Sequence, residues 1–537
     1  VMAATREDRI AASPRIAVDA AALKGSISLK GGRIDDLVLP QYKQDATAGS
    51  PPVVLFSPSG SPQPFYAEYG WYVPSGSTAK VPNSDTLWQA TSAGPLTDSS
   101  TVSMQWDNGE GLLFTRTIKF DKTFLFTIRD QVHNKSAGDV TLYPYSLLSR
   151  HYRPKIEGFF IQHEGLIGVV GADGYQEITY DKALEFGGQG KVFKKEPGGW
   201  IGLTDKYWAA TTIPDQKVAY EARMRGWKEG SREFYQADSI LDPVIVGRGA
   251  STSVENQLFA GAKQVRLVEE YAKAPGIKKF DLLIDWGWFY FITKPMFYVL
   301  DFFGKLFKNF GVAILLTTVL VKLVFFPLAN KSYQSMSRMK KLQPEMERIR
   351  ERFKDDRTKQ QQAMMELYKT EKVNPMAGCL PVVLQVPVFF ALYKVLFTTL
   401  EMRHAPFFGW IKDLSAPDPT NVFNLFGLLP FTVPEAIPFL HLGFWPLVMG
   451  VTMFVQMKLN PTPPDPIQEK IFTWMPVMFT FMLAPFAAGL VIYWSWNNLL
   501  SIIQQYVIMK KEGIEPPLIK NLGLDRIFSK KSGNPAE

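Results

Sequence analysis

The stretch TTVLVKLVFFPL, from Thr317 to Leu328, places one charged residue inside an apolar run. The run extends from Phe310 to Ala329, which is about the length that crosses the hydrocarbon core of a bilayer. A lysine at the centre of such a helix costs roughly 2.5–3.5 kcal/mol on insertion scales. Lys322 therefore either snorkels along its helix to the headgroups or faces a water-filled cavity, and the sequence leaves both interpretations open.

The composition divides the chain into two halves. Residues 1 to 275 have the mixed composition of a soluble domain, whereas apolar runs dominate the rest of the 537 residues. The formal net charge of +8 favours membrane orientation over nucleic-acid binding, because much of the excess lies in loops beside apolar segments. The single cysteine, Cys379, excludes an internal disulfide framework. We predict that residues 1–15 form a polar linker, and that an anchor or signal precedes them.

Residues 16–275 have the pattern of a β-sandwich that ends in a helix. Polar and apolar residues alternate along segments such as GLLFTRTIKF, and glycines mark the turns between them. Long antiparallel strands without intervening helices predict two packed sheets. The stretch AGAKQVRLVEEYAKAPG, residues 260–276, predicts a connector helix. The residues expected on one face of GLLFTRTIKF are Leu112, Phe114, Ile118 and Phe120.

Few residues in this half are placed for chemistry. His133, His151 and His163 have neither metal-ligand spacing nor an accompanying carboxylate cluster, so we interpret them as surface or satisfied core residues. The paired acids Asp35 and Asp36 lie beside a turn, which predicts a solvated loop. A sugar-binding sandwich remains an open interpretation.

The second half begins with an interfacial segment and continues into a membrane core. Residues 280–308 combine aromatic rings with scattered charges, which suits the headgroup layer. We expect a core of five transmembrane helices over residues 309–510. The predicted spans are 310–329, 377–400, 443–459, 470–484 and 486–508.

Charge bias orients these spans. The connection between the first two spans, residues 331–373, is rich in lysine and arginine, so we place it in the cytoplasm. Its apolar residues recur at spacings of three and four, which predicts a helical hairpin. Five spans then put the basic tail, residues 511–537, in the cytoplasm and the β domain on the opposite side. The hairpin residues expected to meet ribosomal RNA or anionic headgroups are Lys340, Lys341, Arg348 and Arg352.

Several stretches resemble the YidC family of membrane protein insertases. They include FITKP (291–295), LQPEMERIRERF (342–353), FFGWIKDLSAPDP (407–419) and GLVIYWSWNNLLSIIQQ (489–505). Similar stretches cover most of residues 280–510 in the family's order. GGWIGLTDKYWAATTIPDQ, at 198–216, resembles the large periplasmic domain of Gram-negative members, whose first anchoring helix would precede Val1.

This resemblance implies a fold and a mechanism. The β domain would be a periplasmic supersandwich similar to sugar mutarotases, and five helices would surround a hydrophilic groove that is closed toward the periplasm. A positive residue of the first core span, typically arginine, faces the groove; here the matching residue is Lys322, which keeps the charge without the bidentate fork. Trp494 replaces the usual tyrosine. The residues assigned to the groove are Lys322, Thr318, Gln385, Gln456, Tyr493, Trp494 and Asn497.

The expected function is insertion and folding of integral membrane proteins in the bacterial inner membrane, alone or with the Sec translocon. The expected partners are nascent membrane proteins, the translocon, the ribosome and membrane lipids. We expect no enzymatic activity, no small-molecule substrate, no metal and no cofactor, and the sequence contains no GxxxxGK[ST] nucleotide motif. The alternatives are a small-solute channel or transporter and, from the sandwich alone, a membrane-tethered carbohydrate enzyme.

Overall fold

The structure is a computed structural model that describes residues 4–47, 49–156, 162–374, 380–429, 442–460 and 466–513. Cys379 and the basic tail beyond Gly513 lie outside the described residues. The chain forms two compact units, one mainly of residues 1–285 and the other mainly of residues 286–537.

The first unit contains two antiparallel sheets. Within its described residues, the first sheet has the strand order β1-β2-β3-β5-β10-β17-β16-β13, with β4 paired to β3 and β18 paired to β10. Its strands are β1 (Arg15–Asp19), β2 (Lys24–Ser28), β3 (Ile34–Lys43), β4 (Pro52–Phe56), β5 (Phe65–Tyr72), β10 (Val140–Arg150), β13 (Lys191–Pro197), β16 (Ala219–Glu229), β17 (Arg232–Leu241) and β18 (Val244–Val246).

The second sheet has the order β12-β11-β14-β15-β19-β9-β8-β7-β6 over the same described part of the chain. Its strands are β6 (Gln89–Ala90), β7 (Thr101–Asp107), β8 (Leu112–Phe120), β9 (Leu125–Asn134), β11 (Gly165–Val170), β12 (Gly174–Thr179), β14 (Gly199–Thr204), β15 (Trp208–Pro214) and β19 (Ser251–Ala262). This mostly β unit agrees with the predicted β domain.

The two sheets pack against each other, and a buried ion pair lies between them. Arg116 in β8 is 1% exposed, and its Nε lies 2.7 Å from Oδ1 of Asp130 in the neighbouring β9. The two terminal nitrogens of Arg116 donate to the carbonyls of Gly32 and Tyr69, at 2.7 and 2.6 Å. Because Tyr69 belongs to the first sheet and Gly32 to the turn before β3, Arg116 joins the two sheets.

The prediction that Asp35 and Asp36 lie in a solvated loop is wrong. Both residues are in β3 and both are 5% exposed. Arg15 pairs with Asp35, Arg6 pairs with Asp36, and the Ser26 hydroxyl donates to Asp36 at 2.5 Å. The two acids can be buried because an arginine partner compensates each charge.

The first residues of the chain also differ from the predicted linker. Helix α1 (Arg6–Ala11) begins at a capping box, in which the Thr5 hydroxyl accepts from the Asp8 amide and the Asp8 carboxylate accepts from the Thr5 amide. Arg6, at the start of this helix, reaches the buried Asp36. Residues 6–11 are therefore part of the β unit rather than a polar tether.

Two further helices belong to this unit: α2 (Tyr180–Phe186) and α3 (Val265–Lys273). Helix α3 lies where the connector helix was expected. Its Tyr271 is buried, and the Tyr271 hydroxyl donates to Asp121 at 2.5 Å. The Tyr271 ring contacts Phe259 of β19, with 6.1 Å between ring centroids. These contacts hold the end of the domain against the second sheet.

The second unit is helical. Its helices are α4 (Tyr290–Phe307), α5 (Phe310–Lys341), α6 (Gln343–Arg352), α7 (Arg357–Thr370), α8 (Leu380–Thr398), α9 (Phe444–Leu459), α10 (Pro466–Leu483) and α11 (Ala488–Lys511). Helix α11 packs against both α5 and α9, α10 packs against α9, and α4 packs against α5.

Helix α5 begins at the expected residue and continues past the expected end. Asn309 caps it, because its side-chain oxygen accepts from the Val312 amide at 3.1 Å. The helix then runs without interruption through Pro327 to Lys341, so the first predicted span and the start of the predicted hairpin are one element of 32 residues. Pro344 in the first turn of α6 marks the next start.

Apolar side chains join α6 and α7. Met346 and Met364 are buried together with Met339 and Val373. The carboxylate of Asp356 accepts from the Lys359 amide and so begins α7. The hydrophobic residues packed against this cluster are Leu342, Ile349, Leu367 and Tyr368.

Among the described residues, α5 is long enough and apolar enough to cross a bilayer, with a mean hydropathy of 2.4 in its most apolar window. Shorter apolar helices cover 383–398, 444–459 and 470–483. The middle of α5 presents exposed apolar side chains, which is typical of a surface that faces lipid. These side chains are Leu320, Leu323, Val324, Phe326 and Leu328.

Candidate functional site

The candidate site is centred on Lys322, where α5 meets α11. Lys322 is half-buried, and its ammonium donates to the Ser501 hydroxyl at 2.6 Å. The Ser501 hydroxyl in turn donates to the Asn497 carbonyl at 2.8 Å. No ion pair involves Lys322 within the described part of the chain. The ammonium therefore lies against a polar part of α11, without a carboxylate partner.

A polar stripe on α11 forms one side of the site. Tyr493, Asn497, Ser501 and Gln505 follow one another at intervals of four residues, and all four are buried. Residues four apart lie on one face of a helix, so this spacing aligns the four side chains. Tyr493 and Asn497 are predicted groove residues, whereas Ser501 and Gln505 are not. The four-residue spacing of Ser501 from Asn497 is the signal that would have identified it.

Two further predicted groove residues, Thr318 of α5 and Gln385 of α8, are held by hydrogen bonds. The Thr318 hydroxyl donates to the Ile314 carbonyl at 2.7 Å, in the preceding turn of α5. The Gln385 side-chain amide donates to the Tyr493 hydroxyl, so α8 is joined to the polar stripe of α11. A hydroxyl bonded to its own helix is satisfied without a partner from another helix. Thr318 therefore lines α5 without linking it to a neighbour.

Trp494 occupies different surroundings from Lys322. The Trp494 ring packs against Phe389 of α8 and Phe479 of α10, with centroid separations of 4.7 and 5.9 Å. It belongs to an apolar cluster with Met449. Gln456 is half-buried on α9. The structure thus brings Lys322 together with Asn497 through Ser501, and Gln385 together with Tyr493, but it places Trp494 among hydrophobic residues.

Ser501 and Lys322 do not form an arrangement for nucleophilic catalysis. A serine nucleophile needs an exposed oxygen and a base that removes its proton. The Ser501 side chain belongs to a residue that is 2% exposed, and it gives its proton to the Asn497 carbonyl. The site can instead attract and hold a negative charge, because an unpaired ammonium beside polar groups is an electrostatic partner for a carboxylate.

The four basic residues predicted to contact ribosomes fall into two groups. Lys340 and Lys341 donate to main-chain carbonyls, those of Leu459 at 3.1 Å and of Glu512 at 2.7 Å. These carbonyls lie at the ends of α9 and α11, where the helix dipole favours a positive charge. Arg348 pairs with Glu345 at 2.7 Å on the surface of α6. Arg352 is exposed on the same helix.

The histidines of the β unit have ordinary partners. His151 lies within 3.0 Å of the Ser149 hydroxyl, His163 lies 2.8 Å from the Leu166 carbonyl, and His133 lies 2.8 Å from the Ser251 hydroxyl. Over the residues that the structure describes, no group of three or more His, Cys, Asp or Glu side chains is arranged to hold a metal ion.

A β-sheet domain followed by apolar helices that bury a polar stripe defines a membrane protein with a large extramembrane domain, and comparison with known proteins specifies its class. The sequence profile of the YidC periplasmic domain matches residues 15–299, and that of the 60Kd inner membrane protein matches residues 302–514. Together these profiles span nearly the whole chain.

Individual relatives give the same result. The chain is 56% identical to the membrane protein insertase YidC of Methylorubrum extorquens over 524 residues, which cover 96% of this chain and 84% of the relative. It is also 56% identical to the protein of the same name from Bradyrhizobium diazoefficiens, and this alignment covers 96% of this chain and 85% of the relative. A crystal structure of an active YidC insertase with its first transmembrane domain resolved aligns at 18% identity and a TM-score of 0.37, covering 93% of this chain and 95% of that one.

The chain therefore belongs to the YidC family of membrane protein insertases, as its sequence motifs indicated. It is a membrane protein insertase of the inner membrane with a periplasmic β domain, and it is not an enzyme. This family membership replaces the two alternative interpretations, a solute channel or transporter and a carbohydrate enzyme.

Proposed function

We propose that the polar surface between α5 and α11 is the place where this insertase receives the polar segment of a nascent membrane protein. The observation that carries the proposal is the position of the Lys322 ammonium, which is hydrogen-bonded to Ser501 and lacks an ion-pair partner among the described residues. A held cation without a counter-ion is an electrostatic partner for an aspartate or glutamate in transit.

The energetics support a transient contact of this kind. A carboxylate brought near an ammonium at 4 Å gains about 4 kcal/mol at an effective dielectric constant of 20, which lowers the cost of leaving water. A membrane potential that is negative inside then contributes about 2.3 kcal/mol per charge per 100 mV for outward movement of the carboxylate. Lys322 would thus hold the acidic segment part-way, and the potential would complete its transfer.

The other groove residues have supporting roles in this proposal. Thr318, Tyr493, Asn497, Gln385 and Gln456 provide the polar lining of a hydrophilic groove. Trp494, which packs against Phe389 and Phe479, forms an apolar wall beside it. A substrate's apolar segment would pass along this wall into lipid, driven by burial of its hydrophobic surface.

The orientation in the membrane is also part of the proposal. Helices α5, α8, α9, α10 and α11 would be the five spans. Helix α4, with the exposed Tyr290 and Phe291, would lie at the membrane surface together with the exposed Trp288 that precedes it. The hairpin of α6 and α7 and the basic tail would be cytoplasmic, because lysine and arginine are retained on that side. Ribosomes and anionic lipids would be the partners of these cytoplasmic surfaces, and the Sec translocon would be the partner of the periplasmic β domain.

Reconstitution tests the proposal directly. The protein alone is placed in liposomes and offered a single-span substrate whose short translocated segment carries aspartates, and insertion is read as protection from added protease. We expect protection with the wild type and a severe loss with Lys322→Glu, which repels the segment. Equal protection by the two proteins, at equal reconstituted amounts, would contradict a role for the groove charge.

A further inference from the structure

Ser501 occupies a specific place in the site. It lies on α11 one turn after Asn497, it is 2% exposed, and its hydroxyl is the described hydrogen-bond partner of the Lys322 ammonium. Ser501 is therefore the point where the charged side chain of Lys322 meets α11.

The directions of these hydrogen bonds are determined by the number of protons. The serine hydroxyl has one proton, which it donates to the Asn497 carbonyl at 2.8 Å. Its remaining lone pairs accept from Lys322, whose ammonium can only donate. Since the bond to Asn497 restricts rotation of the hydroxyl, the lone pairs of Ser501 point in a defined direction toward α5.

This fixed acceptor decides where the lysine charge is located. A lysine side chain in a membrane helix can extend along its helix until the ammonium reaches the headgroups. Exposed apolar residues such as Leu323 and Val324 are sequence neighbours of Lys322, and they offer the ammonium no hydrogen bond. An acceptor on α11 therefore competes with the headgroup layer for the ammonium.

We propose that Ser501 is a positioning residue, which holds the Lys322 ammonium at the α5–α11 surface and thereby sets the preference of the insertase for acidic over neutral translocated segments. This inference rests on the proposed function, because it assigns Ser501 a role that acts through Lys322.

The chain provides a matched control in Ser495. This residue lies on the same helix, is 4% exposed, and donates to the Val491 carbonyl at 2.9 Å, four residues earlier, as Ser501 does to Asn497. Ser495→Ala thus removes the same kind of buried hydroxyl without affecting the lysine. The conservative variant Ser501→Thr keeps a hydroxyl that can bond to the carbonyl four residues earlier.

The experiment compares two substrates that differ only in carrying aspartate or asparagine in the translocated segment. Insertion rates are measured in liposomes that contain the full chain alone. We expect Ser501→Ala to insert the aspartate substrate roughly 10-fold more slowly, as for loss of a hydrogen bond to a charged group, and the asparagine substrate at less than about a 2-fold cost. Ser501→Thr and Ser495→Ala should insert both substrates at nearly wild-type rates.

A double-mutant cycle separates positioning from a general structural role. In the Lys322→Ala background, Ser501→Ala should change the aspartate rate by less than about 2-fold, because the lysine through which it acts is absent. The inference is overturned if Ser501→Ala slows both substrates equally, or if it has its full effect without Lys322. Should Ser501→Ala fail to fold, Ser501→Cys, with a weak acceptor of similar shape, takes its place in the cycle.

The outcomes also distinguish this inference from the proposed function. If Lys322→Ala impairs the aspartate substrate while Ser501→Ala inserts it at the wild-type rate, the groove charge stands and the positioning role of Ser501 fails. If Lys322→Ala has no effect on either substrate, the proposed function fails, and the inference fails with it.

Discussion

Arg116 and Asp130 face each other on neighbouring strands of the β domain, and their buried ion pair lies where the two sheets meet. Removing one partner of such a pair leaves the other charge without compensation. We expect Asp130→Asn to lower the free energy of unfolding by about 3–5 kcal/mol. Chemical denaturation of the purified protein, followed by tryptophan fluorescence, measures this change.

The control for this prediction is an exposed ion pair in the same domain. Asp85 pairs with Lys30 at 3.0 Å, and its side chain is 81% exposed. Asp85→Asn should change the free energy of unfolding by less than about 1 kcal/mol, as is usual for surface pairs. If Asp130→Asn and Asp85→Asn were equally mild, the Arg116–Asp130 pair would not join the sheets in the way described.

The Arg116–Asp130 pair also shows what the sequence reveals about the β domain and what it leaves hidden. The alternation of Leu112, Phe114, Ile118 and Phe120 was visible in the sequence, and all four residues are buried. Arg116 continues the same alternation, but its partner is on the next strand. A single sequence does not give the strand register, so Asp130, and likewise the arginine partners of Asp35 and Asp36, could not be assigned.

Glu164 gives the β domain a pH dependence that can be tested. Burial, and secondarily the nearby charge of Asp205, raises the pKa of Glu164 to about 7 from its ordinary value of 4.5. The folded domain therefore keeps a proton that the unfolded chain releases between pH 4.5 and 7. The stabilising contribution of this group is present below pH 4.5 and is lost as the pH rises through 7.

We expect Glu164→Gln to remove this loss. As the pH rises from 5 to 8, the thermal midpoint of the wild-type β domain should fall relative to that of the variant. The fall should be roughly 2–4 °C for each kcal/mol of unfolding free energy that ionisation of Glu164 removes. His151 acts in the opposite direction, because burial lowers its pKa to about 4, and its contribution is lost as the pH falls from 6.5 toward 4. The difference between wild type and variant therefore isolates Glu164, and a difference independent of pH would refute the assignment.

The groove charge should be replaceable by arginine. Lys322→Arg keeps one positive charge, so insertion of a substrate with an acidic translocated segment should stay within about 2-fold of the wild type. Lys322→Gln keeps the length and polarity without the charge, and it should slow this substrate about 10-fold. The acidic substrate should also respond more to the membrane potential than a neutral one. Equal rates for arginine and glutamine would show that the charge is not what matters.

The split among the hairpin residues leads to a separable prediction. Arg348 and Arg352 are exposed on α6, so replacing both with glutamine should weaken ribosome binding and leave the thermal midpoint unchanged. The slope of the logarithm of the binding constant against the logarithm of the salt concentration should become shallower by about 1–2, because up to two phosphate contacts are lost. Lys340 and Lys341 donate to carbonyls at the ends of α9 and α11, so replacing them should lower the thermal midpoint. Cosedimentation with ribosomes at several salt concentrations and thermal unfolding together measure both effects.

The sequence predicted the basic hairpin residues but not which of them are exposed and which contact other helices. The apolar spacing in residues 331–373 predicted a helical hairpin, and Met339, Met346 and Met364 of this segment form one cluster. The carbonyls that Lys340 and Lys341 contact come from helices more than a hundred residues away. Charge bias in a sequence identifies a basic surface, whereas main-chain acceptors depend on tertiary structure.

Helix α5 carries both Lys322 and Lys340. It has 32 residues and is about 48 Å long, roughly 18 Å more than the hydrocarbon core of a bilayer. Lys322 and Lys340 are separated by five full helical turns, so they project from the same side of one rod. We therefore expect that a rotation of α5 that pulls Lys340 away from the end of α9 would also turn Lys322 away from α11. Docking at the hairpin would then expose the groove charge.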